Sequence, residues 1–138
     1  FLESQVDLLT KNNLQVAFES DFDDKELARF IERLNPSLFG INYDIGNSAA
    51  LGFDPVEEIN SYGKRIVNVH VKDRELGGTT VPLGTGNAHF ETVFASLYEV
   101  GYTGNYILQT ARAPDDYHLG ILCEFRKMTA DWIEQSGS

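Results

Sequence analysis

Sulfur is nearly absent from this 138-residue chain, which carries one cysteine, Cys123, and one methionine. A lone thiol closes no internal disulfide and builds no cysteine-rich metal cluster. Nothing in the cysteine count points to an oxidising compartment, so a cytoplasmic setting is expected. Long apolar runs are also missing. None approaches the roughly 18–20 residues that cross a bilayer, and no charged-then-apolar leader precedes the first segment, so no membrane partner is expected. Positive charge is scarce, with 11 Lys and Arg against 21 Asp and Glu and a formal net charge of −10. Sequence-independent nucleic-acid binding draws its affinity from neutralised phosphates, and an acidic chain without a basic cluster is unsuited to it. Small-molecule or protein partners are expected instead. The sequence starts Phe1-Leu2-Glu3 without an initiator Met, its first apolar positions already at helical spacing, which reads as a fragment or trimmed product.

What is present is enough for one folded domain over 1–138: 42% of residues are hydrophobic, 12% aromatic and 23% charged. Leu2, Val6, Leu8 and Leu9 mark a helix closed by Lys11-Asn12-Asn13, and residues 14–20 read as a strand. Asp23 and Asp24 offer caps for a helix with the stripe Leu27, Phe30, Ile31 and Leu34, stopped at Asn35-Pro36. A strand over 39–45 follows, then a short helix opened by Asp54-Pro55. Residues 66–72, dense in β-branched side chains, form the third strand. A glycine-rich loop over 75–86 leads to a helix with the stripe Phe90, Val93, Phe94, Leu97 and Tyr98. The fourth strand covers 106–110. A last helix carries Leu119, Leu122, Phe125, Arg126, Met128 and Trp132, and Ser136-Gly137-Ser138 frays from its end. Strands separated by helices need crossover connections, so the fold class is α/β with a parallel sheet. An open doubly wound sheet and a piece of a (β/α)8 barrel both satisfy that order. No G-x-G-x-x-G follows the first strand, which disfavours a dinucleotide fold.

Side chains two apart on a strand share a face. One parity reads Gln15, Ala17, Glu19; Gly40, Asn42, Asp44; Asn68, His70, Lys72; and Asn105, Ile107, Gln109. The other is apolar throughout: Val16 and Phe18; Phe39, Ile41 and Tyr43; Val67, Val69 and Val71; Tyr106 and Leu108. The apolar face must pack on helices, which leaves two carboxylates, an imidazole and a carboxamide near the four carboxyl-terminal strand ends. In a barrel this is where active sites lie. Oxygen donors with one neutral imidazole suit a divalent cation, Mn²⁺ best, with Mg²⁺, Co²⁺ or Zn²⁺ as alternatives. Carboxylates set side by side repel unless a cation lies between them. Singly, each residue has a plainer reading: a carboxylate after a strand as a helix cap, Asp73 included, His70 as a rim histidine, the Asp21–Glu26 run as a solvated helix start. His89 and His118 read as surface residues and Cys123 as an inert packed thiol.

The strings A-F-E-S at 17–20, Y-D-I-G-N at 43–47, N-V-H-V-K-D at 68–73, P-L-G-T-G-N at 82–87 and G-Y-T-G-N-Y-I-L-Q-T at 101–110 together resemble the sugar-phosphate isomerase/epimerase superfamily. This is the xylose isomerase-like TIM barrel, or AP endonuclease family 2. The resemblance covers nearly the whole chain and implies four βα units of a (β/α)8 barrel, strands five to eight: a half-barrel or a fragment. It implies a metal-dependent isomerase or epimerase that interconverts a ketose and an aldose, or epimers, through an enediolate. By position, the metal set would be Glu19, Asp44, His70 and Gln109, with Glu19 also the proton-transferring base. Gln109 stands where the family has a second glutamate. An amide binds a cation through its oxygen but takes no proton, so a one-base isomerisation is expected over a two-base epimerisation. Asn47 stands where several relatives have His, and Asn47, Lys72, Asp73, Arg74 and Arg112 are expected contacts for sugar hydroxyls or a phosphate. The implied partner is a sugar or sugar phosphate.

A catalytically silent carbohydrate-binding barrel module is the alternative, keeping the fold without the chemistry. An apurinic-site endonuclease is disfavoured by the acidity and the shortage of further histidines. Four βα units expose two sheet edges, so either a homodimer or a missing N-terminal half-barrel is expected to cover them.

Overall fold

Each stretch of alternating side chains in the computed structural model, which describes residues 1–137, becomes a strand, and each is followed by a helix. A short 3₁₀ turn leads into α1 (Val6–Lys11), then β1 (Val16–Phe18), α2 (Asp24–Glu32), β2 (Phe39–Asp44), α3 (Ile45–Leu51) and α4 (Pro55–Tyr62). β3 (Ile66–Val71) is followed by a hairpin of β4 (Asp73–Arg74) and β5 (Thr80–Val81), then α5 (Phe90–Glu99), β6 (Asn105–Leu108) and α6 (His118–Ser136). The main sheet has the order β1-β2-β3-β6 with every neighbouring pair parallel. The expected α/β class and parallel sheet are therefore present. No helix among the described residues is long and apolar enough to cross a membrane. Of the expected frayed end, Ser136 is still helical, and Ser138 lies outside the described residues.

Local chemistry sets the boundaries. Asp23 Oδ1 accepts the Glu26 N–H at 2.8 Å and opens α2. Asp54 Oδ1 accepts from Val56 at 2.8 Å, with Pro55 in the first turn of α4. Two elements escape the sequence pattern. The strand expected to run through Ile45 ends at Asp44, whose side chain caps α3 at once, and Gly52 closes that helix in the left-handed region at φ 74°. The loop expected over 75–86 contains the β4–β5 hairpin, whose residues are too few for any periodicity to announce.

One face of the sheet is packed. Phe39, Ile41, Tyr43, Val69 and Val71 meet Leu27, Ile31, Ile59, Val93, Phe94 and Leu97 from the helices in one core. Full burial of a large aliphatic side chain contributes roughly 1.5–3 kcal/mol, and Ile31, Ile59, Val69, Val71 and Leu97 are wholly buried. Trp132 stacks on Phe90 with centroids 4.3 Å apart and holds α6 against α5. The Arg65 guanidinium donates to Ile31 O at 2.8 Å, Leu34 O at 3.2 Å and Phe39 O at 2.9 Å, tying the end of α2 to the start of β2.

Two expectations are corrected here. Val67 belongs to the inner face, because the register of β2 against β3 shifts after Ile41 and leaves it as a bulge between Ile66 and Asn68. A Cβ on Gly40 would lie 2.4 Å from Val67 Cγ1, so the glycine makes room for that bulge. Along α6, Phe125 and Thr129 are buried while Leu119 and Leu122 are exposed. Cys123 is exposed on α6, not packed. His89 and His118 are exposed as expected.

Candidate metal centre

The inner face carries two tiers of polar side chains. Asp44 and His70 are register partners on β2 and β3, and Asn42 and Asn68 are the pair one step below. Glu19 follows β1 directly, so the three short strand ends bring Glu19, Asp44 and His70 to one rim. One ligand atom from each lies within 4.8 Å of the other two. His70 Nδ1 is 3.4 Å from Glu19 Oε2 and 3.5 Å from Asp44 Oδ2.

The remaining oxygens are used locally. Asp44 Oδ1 accepts the Asn47 N–H at 2.8 Å and caps α3, which aims Oδ2 at the rim. Glu19 Oε1 accepts from Asn47 Nδ2 at 2.9 Å, and Oε2 accepts from Asn42 Nδ2 at 2.6 Å. Lys72 Nζ donates to Asp44 Oδ2 at 3.2 Å and to Asn47 Oδ1 at 3.1 Å. Arg74 Nη1 joins the same Asn47 oxygen at 2.9 Å while Nη2 holds Gly78 O at 2.7 Å.

These donors fit a divalent ion. Ligand atoms about 2.0–2.2 Å from a metal stand roughly 3.0–3.5 Å from one another at angles of 90–110°. The two measured separations from Nδ1 meet that range. The donor set, carboxylate oxygen with one imidazole nitrogen, is what Mn²⁺, Zn²⁺ or a similar ion takes.

The other expected contacts divide. Asn47, Lys72 and Arg74 do join the rim. Gln109 stands just past β6, exposed, with its N–H on Val71 O at 3.0 Å, on the strand beside His70. Asp73, expected at the substrate, is turned away: it is 0% exposed. Its carboxylate accepts N–H groups from Gly84 and Gly86 at 2.9 Å and Ala88 at 3.1 Å. A loop that brings three backbone donors to one point needs a buried acceptor, and Asp73 is that acceptor. Arg112 lies apart, in the exposed loop after β6, lining a hollow with His118, Ile121 and Leu122. Asn42 and Asn68 were visible as inner-face positions but carried no signal of a role at the centre.

A second polar cluster lies on the packed side of β2. Glu58 is 4% exposed. It accepts from Tyr43 at 3.0 Å, from Tyr62 at 2.8 Å and from Ser48. Burial pushes its carboxyl above the usual range, while the three hydroxyls pull it partly back. Burial likewise raises Tyr43 and Tyr62.

A parallel sheet packed by helices on one face, with a carboxylate–imidazole rim at the strand ends on the other, is the arrangement found in TIM barrels, whose sites lie at the carboxyl-terminal strand ends. The chain belongs to the xylose isomerase-like TIM barrel family, which it matches over residues 5–127. An inosose dehydratase of Geobacillus kaustophilus is 32% identical over 130 residues, covering 80% of this chain and 41% of that protein. An L-ribulose-5-phosphate 3-epimerase UlaE of Salmonella paratyphi C is 34% identical over 116 residues, 78% of this chain and 40% of that one. A xylose isomerase domain protein from Planctomyces limnophilus superposes with a TM-score of 0.79 at 24% identity, over 99% of this chain and 54% of that one. An IolI protein solved with a bound zinc atom gives 0.78 at 20% identity, over 98% and 54%. The chain thus spans about two-fifths of the curated relatives it matches and about half of these solved structures.

Proposed function

We propose that this chain is the metal-holding half of a sugar or sugar-phosphate isomerase/epimerase-type enzyme, equivalent to strands five to eight of the barrel. The observation that carries the reading is the convergence of Glu19 Oε2, Asp44 Oδ2 and His70 Nδ1. These three, with the Gln109 amide, would hold a divalent ion, Mn²⁺ first and Mg²⁺, Co²⁺ or Zn²⁺ otherwise. When bound, the ion supplies Lewis-acid polarisation of a carbonyl and its neighbouring hydroxyl.

The proton work falls to Glu19. Its carboxylate takes the proton from the carbon beside the carbonyl, leaving an enediolate, and returns it to the adjacent carbon while the hydroxyl proton passes from one oxygen to the other, so that one group serves both carbon steps. Asn42 and Asn47 keep the carboxylate oriented. Lys72 and Arg74 offset Glu19 and Asp44, so a divalent ion would leave the rim net positive. That balance favours an anionic sugar, which supports a sugar phosphate as the substrate over a neutral one. The open edges of β1 and β6 call for a further four βα units, from a preceding N-terminal half-barrel or from a second copy in a homodimer. We place the enzyme in the cytoplasm, with no nucleic-acid or membrane partner.

Turnover of a panel of ketoses and their phosphates with Mn²⁺ tests the assignment. Glu19→Gln is expected to lose about 10²–10⁴-fold, and Gln109→Glu is expected to change the balance of isomer and epimer products. Unchanged turnover in Glu19→Gln would overturn the role of that residue. Gln109 itself favours a second reading, the silent carbohydrate-binding module. Sugar binding without metal, and no exchange of the substrate's carbon-bound proton in heavy water, would establish that reading in place of the first.

A further inference from the structure

We infer that Asn42, oriented by Asn68, is a positioning residue that sets the tautomer of His70 and so keeps Nδ1 deprotonated, as a cation ligand must be.

The argument is one of donors and acceptors. Asn42 Nδ2 lies 2.6 Å from Glu19 Oε2 and 3.1 Å from His70 Nδ1, while Asn68 Nδ2 lies 2.6 Å from Asn42 Oδ1. An ionised carboxylate only accepts, so the end of the Asn42 amide that faces Glu19 must be its NH₂. Its oxygen therefore faces Asn68, which must donate. With one N–H on Glu19, the second points at His70 Nδ1. That nitrogen must then present a lone pair, and the ring proton resides on Nε2. The same nitrogen is the one that lies 3.4 Å from Glu19 Oε2 and 3.5 Å from Asp44 Oδ2. Were the proton on Nδ1, an N–H would face an N–H at 3.1 Å and no ligand would be offered to the rim. Outer partners of metal-binding histidines commonly fix the tautomer through the non-ligating nitrogen. Here the amide acts on the ligating nitrogen, holding it deprotonated until a cation takes its place. Asn42 and Asn68 are register partners on adjacent strands, so the relay is built into the sheet and does not depend on a mobile loop.

The consequence for metal affinity rests on the function proposed above; the tautomer does not. Long-range ¹H–¹⁵N correlation of ¹⁵N-histidine protein without metal, with His70 assigned by comparison with His70→Gln, reads the tautomer directly. The expected result is an Nε2–H ring for His70. Asn42→Asp presents only acceptors and is expected to move the proton to Nδ1. Asn42→Leu, close in volume and without a polar group, is expected to give a mixture. Asn68→Ala, which touches neither ligand, is expected to shift the ratio in the same direction by less. Zn²⁺ affinity by calorimetry should fall roughly 10–100-fold in Asn42→Leu, as for other outer-partner losses. A wild-type His70 protonated on Nδ1, or a ring unchanged in both Asn42 variants, would overturn the inference. A wild-type protein with the Nε2–H ring and no affinity for Zn²⁺ would uphold the tautomer assignment and overturn the metal reading.

Discussion

The two faces of β2 carry carboxylates in opposite circumstances. On the packed side, Glu58 sits among three hydroxyls, each able to donate, and the cluster is electrically closed. On the open side, Glu19 Oε2, Asp44 Oδ2 and His70 Nδ1 are acceptors that converge on one another, with amide and ammonium donors only at their flanks. A buried polar group is stable when its donors and acceptors match. The first cluster obeys that rule and reads as structure. In the second, each acceptor has a donor from Asn42 or Lys72, yet two carboxylates and an imidazole nitrogen still face one another, the arrangement that the proposed cation would occupy.

The largest expected effect breaks the closed cluster. Glu58→Ala leaves a cavity in the layer between β2 and α4 and strands three buried hydroxyls, and should cost about 4 kcal/mol in chemical denaturation. Glu58→Gln, which retains an acceptor and the volume, should cost under about 1.5 kcal/mol. If the alanine variant loses no more than the glutamine variant, the cluster does not hold the layer together.

Next comes the open cluster, which should respond to metal where the closed one does not. Binding to the folded state alone stabilises by about 2.7 kcal/mol at 100 times Kd. Mn²⁺ or Zn²⁺ should raise the unfolding midpoint accordingly, and EDTA should return it. Asp44→Asn should abolish the shift, whereas Glu58→Gln should retain it in full. A metal-induced shift that survives Asp44→Asn would place the ion elsewhere.

How far the sequence reaches differs between these two faces for a physical reason. Strand parity is a backbone property, so the inner positions of Glu19, Asp44 and His70 follow from alternation alone, and the rim they form was legible. Parity fails at Val67, because a bulge inserts one residue and the sequence bears no mark of it. Asp73 follows His70 in the expected string yet serves a loop: it shares the parity of Val69 and Val71 and is buried with them, so alternation itself argued against the rim. The Glu58 cluster was not legible at all. A glutamate in the first turn of a helix is ordinarily a solvated partner of the helix dipole, and only tertiary packing brings Tyr43, Ser48 and Tyr62 over it.

The smallest expected effect concerns the pH dependence of the same comparison. Burial raises the Glu58 carboxyl above its ordinary value, with Asp24 nearby adding to the rise. The folded protein therefore holds this proton more tightly than the unfolded chain does. Its contribution to stability is complete below the unfolded carboxyl value and is lost as pH rises through the higher folded one. Across that window wild type should lose stability relative to Glu58→Gln, whose amide does not titrate. Above it the difference between the two should be constant. Denaturation midpoints of both proteins, taken at steps from acid to neutral pH, would show the wild-type advantage shrinking as pH rises. A gap that stays level over the whole range would mean that the three hydroxyls offset burial completely, and that Glu58 ionises in the fold as it does in the open chain.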